Sequence, residues 1–279
     1  MFAAREQRVH PARDDKVLTA WNGLALSAFA EAARILDEPR YRDAALRNAA
    51  FVRERMWDGA RLLHAYRDGV AKVDGLLDDY AAYGLGLVDL YRATGDLSQL
   101  AWAGELLEAA VERFHDDDAG GCFEAPLDGE ELILRQKPFF DTPTPSGNGA
   151  MALLAMWLGR YTGRADWEAL GTEIIALVGD QLVRAPTGFG ATLQALELAL
   201  APRREIAIVG TPQARAPFER ELARHFLPTA LIAPAPNGGG LPVLEGRDVP
   251  EGAVAYVCEE MVCDLPARTV EALREQLAE

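Results

Sequence analysis

Segments in which nearly every residue is apolar alternate along the chain with segments whose apolar residues form a single helical stripe. Residues 24–36 are apolar around most of the helical circumference, which predicts a buried helix. Residues 41–57 place charged side chains outside one apolar stripe, which predicts a helix with one side in water. The alternation recurs in two further pairs of segments, and a last helix follows: 84–91 with 100–114, 149–158 with 167–182, and 191–200.

This alternation has a repeat. The same offset separates Asn22 from Asn148 and Tyr41 from Trp167, and short turn signals lie where each buried segment ends. Sequential hairpins of one buried and one half-exposed helix can close into a ring. We therefore predict a mainly α fold, a partial (α/α)6 toroid of about three and a half helical hairpins, in preference to an open solenoid.

Short β elements and a second region complete the expected fold. Asp-Gly pairs predict β-hairpins at residues 61–71 and 121–134. Beyond Pro202 the pattern changes to strands at 204–210, 229–233 and 254–258, with helices at 218–226 and 269–277. We predict a toroid domain over residues 1–202 and a small C-terminal α/β appendage over residues 203–279.

Composition and charge exclude several partners. The chain has 279 residues, 49% of them hydrophobic, and its net charge of −15 comes from carboxylates spread along its length. Such a field repels polyanions, so nucleic acid is not an expected partner. The apolar runs are too short to span a bilayer and the first residues lack the features of a secretory signal, which predicts a cytoplasmic protein with no membrane partner. No motif indicates a cofactor or a metal.

Three polar clusters precede the buried helices, and a ring would bring them to one mouth. Carboxylates and amides bind hydroxyl groups and aromatic faces stack on sugar rings, so the mouth suits a sugar-like small molecule. Asp78 and Asp79 are the candidate catalytic acid and base. The candidate substrate-binding residues are Asp15, Lys16, Trp21, Asn22, Tyr80, Arg135, Lys137, Asp141, Ser146 and Asn148.

These residues also have structural interpretations. Asn22 and Ser146 are suited to capping helices. Of the adjacent pair Asp78 and Asp79, one is suited to cap a helix and the other to face the cavity. Arg135, Lys137 and Asp141 are equally suited to an ion network that holds a loop. His64 lies in a predicted hairpin from which it could reach the mouth.

The three cysteines are too few for a disulfide framework, and their odd number fits a reducing compartment. Cys258 and Cys263 lack the further ligands that a structural zinc site needs. They are expected to be buried or redox-capable thiols.

Several motifs together resemble a known family: Arg13 to Leu24 (RDDKVLTAWNGL), Leu77 to Ala81 (LDDYA), Gly120 to Phe123 (GGCF), Pro145 to Asn148 (PSGN), and Ala255 to Cys258 with Cys263. The chain is similar to the carboxy-terminal part of the spermatogenesis-associated protein 20 family, also described as YyaL-type thioredoxin domain-containing proteins. The resemblance implies a helical barrel like that of N-acylglucosamine 2-epimerases and six-hairpin glycosidases. It also implies that a thioredoxin-like domain and about half of the ring are absent from this chain.

Two functions follow as hypotheses. The first is a carbohydrate-binding or carbohydrate-modifying protein with acid/base chemistry by aspartates at the barrel mouth. The second is a non-catalytic scaffold or redox-partner module of a thioredoxin-like system, with Cys258 and Cys263 as its thiols. Because half a ring leaves apolar helix faces exposed, we also expect a homodimer or association with the missing half.

Overall fold

The computed structural model describes residues 1–260 and 262–278. Its helices are α1 (Phe2–Glu6), α2 (Thr19–Leu36), α3 (Pro39–Arg55), α4 (Leu77–Thr94), α5 (Leu97–Phe114), α6 (Gly147–Thr162), α7 (Ala165–Ala176), α8 (Gly179–Arg184), α9 (Gly190–Leu200), α10 (Pro212–Leu222) and α11 (Val270–Leu277). Its strands are β1 (Val17–Leu18), β2 (Leu63–Arg67), β3 (Val70–Asp74), β4 (Arg204–Gly210), β5 (Leu231–Ala235), β6 (Ala253–Glu259) and β7 (Val262–Cys263). The mainly α prediction is confirmed.

The inner helices α2, α4, α6 and α9 form a row of neighbours, and the outer helices α3, α5 and α7 return the chain between them. Within this row α2 and α4 run parallel, as contacts at two points along them show. Near the amino ends, the Ala20 amide donates to Asp79. Farther along, Gly86 of α4 faces Gly23 and Leu26 of α2.

The other two junctions of the row have the same direction. Gly147 and Leu154 of α6 lie against Leu77 and Gly84 of α4. Near the carboxyl ends of α6 and α9, Arg160 donates to the backbone oxygen of Leu198. The four inner helices therefore begin at one end of the molecule, as the partial toroid requires.

The helix boundaries follow from local chemistry. Gly95 and Gly163 end α4 and α6 in the left-handed conformation, with φ of 73° at both, where glycine has no steric penalty. Asp96 and Ser146 cap α5 and α6 with side-chain oxygens. Each predicted helical hairpin is therefore present, and α2, α4, α5 and α6 are longer than the segments that indicated them. The helix predicted at 167–182 is instead divided into α7 and α8.

The degree of burial differs among the inner helices. Most residues of α6 are buried, whereas α2 buries only five of its eighteen. Leu24, Phe29 and Leu36 of α2 are exposed, since α2 lies at the end of the row. The prediction that residues 24–36 form a fully buried helix is therefore wrong, because this helix lacks a neighbour on one side.

Only the first predicted β-hairpin forms. Strands β2 and β3 pair around Asp68 and Gly69, which both have positive φ, and β1 adds a third strand. Residues 121–134 contain no strand; His115 and Cys122 form an isolated bridge instead. The hairpin prediction fails there because Ile133 and Leu134 are exposed and have no apolar surface to cover.

The C-terminal region is a four-stranded sheet in the order β5-β4-β6-β7, parallel between β4 and β5 and antiparallel elsewhere. One face, which includes Ala207 and Ala233, joins the core of the helical region. The other face, which includes Ile206 and Ile208, packs with α10 and α11 in a second core. The boundary between residues 202 and 203 stays a prediction.

Candidate functional site

A cleft of about 830 Å³ extends along the inner helices. Its walls come from α2, α4, α6 and α9, from residues 141–145 and from residues 226–229. The amino ends of the helices lie at one end of the cleft, beside Trp21, Asp78 and Asp141. The structure thus brings together one residue from each of the three predicted polar clusters.

Helix α4 contributes one face of polar and apolar residues to the cleft: Asp78, Ala82, Leu85, Asp89 and Arg92. They are spaced alternately by four and three residues, which places them on one side of a helix. Helix α4 therefore keeps polar residues on the side that faces the cleft. The expectation of helices that are apolar nearly all round missed these residues.

Asp78 is the carboxyl group of the cleft with the most unusual environment. Its side chain lines the cleft, and its Oδ1 atom is buried without a hydrogen-bond partner among the described residues. Burial, and secondarily the negative charge of Asp79, raise the pKa of Asp78 to about 6. A carboxyl group with such a pKa can both donate and accept a proton near neutral pH.

Asp79 is completely buried and does not line the cleft. Its Oδ1 accepts from the Ala20 amide at 2.8 Å, and its Oδ2 accepts from the Leu76 amide at 2.9 Å and lies 2.8 Å from Nδ1 of His64. The hydrogen bond and the charge of Asp79 raise the pKa of His64. Asp79 thus fixes the amino ends of two helices, and no oxygen of it is directed to a ligand.

The two aromatic candidates differ in exposure. Trp21 lines the cleft and is 64% exposed, so its ring face is available. Tyr80 is fully buried; its hydroxyl accepts hydrogen bonds from the Leu62 amide and from Arg113. The prediction that Tyr80 stacks on a ligand is therefore incompatible with its position beneath the β2 hairpin.

The third cluster is divided between the cleft and the protein interior. Asp141 lines the cleft, and its two oxygens accept from the backbone amides of Ser146 and Ala191. Ser146 is mostly buried and caps α6. Asn148 is fully buried and binds both backbone groups of Cys122. Ser146 and Asn148 have the structural role, and neither lines the cleft.

The remaining candidates lie outside the cleft. Asn22 donates to the Leu18 carbonyl and accepts from Asn48 of α3. Asp15 and Lys16 are exposed and form ion pairs with Arg67 and Asp14 respectively.

Arg135 and Lys137 belong to the long loop before α6. Arg135 donates to the Leu127 carbonyl, and Lys137 to Asp116 and the Gly120 carbonyl. These contacts match the alternative of a network that holds the loop, although Asp141 is not part of it.

The sequence analysis missed the residues deeper in the cleft. Asp89 forms an ion pair with Arg92 at 3.1 Å, and burial raises the pKa of Asp89. The Arg92 guanidinium lies 3.9 Å from the ring centre of Trp157. Gln194 and Glu197 of α9 border the same cleft. Only the four-and-three spacing from Asp78 to Arg92 could have indicated this face.

Within residues 1–260 and 262–278, no group of three or more histidine, cysteine, aspartate or glutamate side chains is arranged to hold a metal ion. No helix in that part of the chain is both long and apolar enough to traverse a lipid bilayer.

Cys258 and Cys263 form a disulfide between the adjacent strands β6 and β7. Cys258 is buried and Cys263 is exposed, and one guanidinium nitrogen of Arg247 lies 3.2 and 3.4 Å from the two sulfur atoms. The remaining cysteine, Cys122, is a buried free thiol. The expectation of two free thiols at 258 and 263 is corrected to an oxidised pair.

No protein-family model matches the chain. Spermatogenesis-associated protein 20 of Homo sapiens is 31% identical over 99% of this chain, and the Caenorhabditis elegans protein called Uncharacterized protein B0495.5 is 23% identical over 99%. The chain spans only 38% and 39% of these two relatives.

Among solved structures, cellobiose 2-epimerase from Bacillus thermoamylovorans B4167 superposes with a TM-score of 0.51 at 17% identity. The match covers 60% of this chain and 45% of that one. At this identity the likeness concerns the fold alone, and it agrees with a partial (α/α)6 toroid. The resemblance read from the motifs is confirmed: the chain is homologous, along nearly its whole length, to a part of spermatogenesis-associated protein 20.

Proposed function

We propose that the cleft binds a carbohydrate and that Asp78 is the acid/base group of a carbohydrate-modifying reaction. The observation that carries the proposal is the position of Asp78, whose partly buried carboxyl group lines the same cleft as the exposed ring of Trp21. A sugar offers an apolar ring face for the tryptophan and hydroxyl groups for a carboxyl group.

Similarity of fold to a solved sugar epimerase supports this proposal in general terms. The superposed solved structure is named a cellobiose 2-epimerase, and its helices form the same type of barrel. At 17% identity this likeness transfers no catalytic residue. The assignment of Asp78 as the acid/base group therefore rests on the surroundings of its side chain in this protein.

Asp79 has a positioning role in this proposal. Its hydrogen bonds hold the start of α4, and its charge contributes to the raised pKa of Asp78. Asp141 likewise ties residues 141–146 to the start of α9 and so positions one wall of the cleft.

Calorimetric titration with a panel of monosaccharides and disaccharides tests the proposal. We expect at least one sugar to bind to the wild-type protein and expect Trp21→Ala to weaken that binding about tenfold, the value of one stacking contact. Ile133→Ala is the matched control, since Ile133 is fully exposed and does not line the cleft. Absence of heat across the whole panel would refute the proposal.

The role of Asp78 is tested with whichever sugar binds. Asp78→Asn should abolish turnover while the sugar still binds, and Asp43→Asn on the exposed side of α3 should change neither. An Asp78→Asn variant with wild-type turnover would exclude Asp78 as the acid/base group.

A second candidate function, that of a redox partner, is favoured by the disulfide. A thiolate of a dithiol oxidoreductase would attack the exposed Cys263 sulfur and displace the Cys258 thiolate, which the Arg247 guanidinium would stabilise. The partner's second thiol would then release Cys263, leaving the partner oxidised and both cysteines reduced.

The test uses a thioredoxin whose second cysteine is replaced by serine. We expect it to form a mixed disulfide with the oxidised protein, and expect none with the Cys263→Ser variant. Failure of the wild-type protein to be trapped would count against this function and would leave the sugar proposal unaffected.

A further inference from the structure

The cleft is longer than a single sugar. Its residues on α4 run from Asp78 to Arg92, which is fourteen residues or about four helical turns, roughly 21 Å. A pyranose ring is about as long as one helical turn of roughly 5.4 Å. The volume of about 830 Å³ is also near the upper end of the range for small-molecule pockets.

Both ends of the cleft carry hydrogen-bonding groups. Where the helices begin, the exposed Trp21 lies with Asp78. Where they finish, Asp89 and Arg92 line the cleft, and Trp157 beside them is almost fully buried, with the Arg92 guanidinium over its ring. Hydrogen-bonding groups at both ends of one groove suit a ligand made of repeated units.

The C-terminal region forms the far wall. Arg92 donates to the Tyr161 hydroxyl, which donates to the Ile232 carbonyl of β5, so the carboxyl ends of α4 and α6 are tied to this region. The adjacent segment brings Phe226 to the cleft with 91% of its surface exposed. An aromatic side chain this exposed is available for a ligand contact.

The charges of the cleft select against anions. Asp78, Asp141 and Glu197 line it without a direct ion pair among the described residues, and its single arginine, Arg92, is already paired with Asp89. The whole chain carries a net charge of −15 as well. A ligand bearing carboxylates or phosphates would meet the unpaired carboxylates of Asp78, Asp141 and Glu197.

On the basis of the proposed function, we propose that the ligand of this cleft is a linear, uncharged oligosaccharide of about four units, with subsites from Trp21 to Phe226, rather than a monosaccharide or an acidic sugar. The length of the groove sets the number of units, and its charges set the chemical class.

The experiment titrates the protein with gluco-, manno- and N-acetylglucosamine oligosaccharides of one to six units. For a series that binds, we expect the dissociation constant to fall about tenfold or more from monomer to tetramer and to change little beyond it. Phe226→Ala should weaken the tetramer several-fold and leave monomer binding unchanged, whereas Ile133→Ala should affect neither.

The chemical class is tested with a uronic acid oligosaccharide of the same length as the best neutral ligand. We expect it to bind at least about tenfold more weakly in dilute salt, with a smaller difference at high salt. Equal binding of monomer and tetramer, or of acidic and neutral chains, would overturn this inference alone. Absence of binding by every sugar would overturn the proposed function as well.

Discussion

The backbone amide of Ala20 in α2 donates to the Oδ1 atom of Asp79 in α4 at 2.8 Å. Asp79 thereby holds together the first turns of two parallel inner helices, while its neighbour Asp78 lines the cleft. We therefore expect Asp79 to stabilise the fold and the adjacent Asp78 to reduce its stability at neutral pH.

Asp79→Ala is expected to destabilise the protein by about 3 kcal/mol, because it leaves the Ala20 and Leu76 amides without their acceptor in the protein interior. Asp79→Asn should cost less, since one oxygen acceptor remains. Urea denaturation at neutral pH measures both changes. A loss below about 0.5 kcal/mol for the alanine variant would show that the bond does not stabilise the fold.

Asp78→Asn is expected to stabilise the protein at pH 7. The folded-state pKa of Asp78 is raised to about 6 from 3.8, so the wild-type protein loses stability as the pH rises from about 4 to 6. The asparagine variant lacks this loss. We expect a gain of about 1 to 2 kcal/mol at pH 7 after allowing for partial exposure, and no gain below pH 4.

Urea denaturation of both proteins at several pH values provides the check. A free-energy difference that does not vary between pH 4 and 7 would contradict the prediction. Such stabilisation by removal of a carboxyl group is the usual property of a functional residue that the fold holds at a cost in stability.

His64 contributes a pH dependence of stability at higher pH than Asp78 does. The hydrogen bond that His64 donates to Asp79 raises the folded-state pKa of His64 above 6.5, so its stabilising effect is complete below that pH and is lost as the pH rises through the folded-state value. The free-energy difference between wild type and His64→Gln should therefore shrink on going from pH 6 to pH 9. His115, whose pKa is also raised, remains in both proteins and cancels in the comparison.

Gly23→Ala should separate α2 from α4. An added Cβ would lie 2.6 Å from both the Ala82 carbonyl carbon and the Tyr83 nitrogen, which are backbone atoms that cannot rotate away. We expect a loss of about 1 to 3 kcal/mol despite the better helix propensity of alanine. Gly179→Ala is the control, because a Cβ there meets nothing within 4 Å; it should be neutral or slightly stabilising in thermal denaturation.

The sequence was sufficient to predict the helical pairs, since their apolar spacing and turn residues are local signals. It could not separate Asp78 from Asp79, because which carboxylate points to the cleft depends on the direction of the first turn of α4. Residue type alone misleads for Tyr80 and Asn148, which bond backbone groups distant in the sequence, and for Asn22, which bonds the Leu18 carbonyl and the Asn48 side chain. Asp89 and Arg92 give no sequence signal of their own, because the residues around them are mostly apolar.

The common direction of the four inner helices also orders the electrostatic potential of the groove they line. Each helix carries partial positive charge at its beginning and partial negative charge at its finish, and aligned helices add these fields. Asp78 and Asp141 lie at the positive extreme and Arg92 at the negative one. The two extremities of the groove are therefore inequivalent, so a bound chain with distinguishable termini would have one preferred orientation.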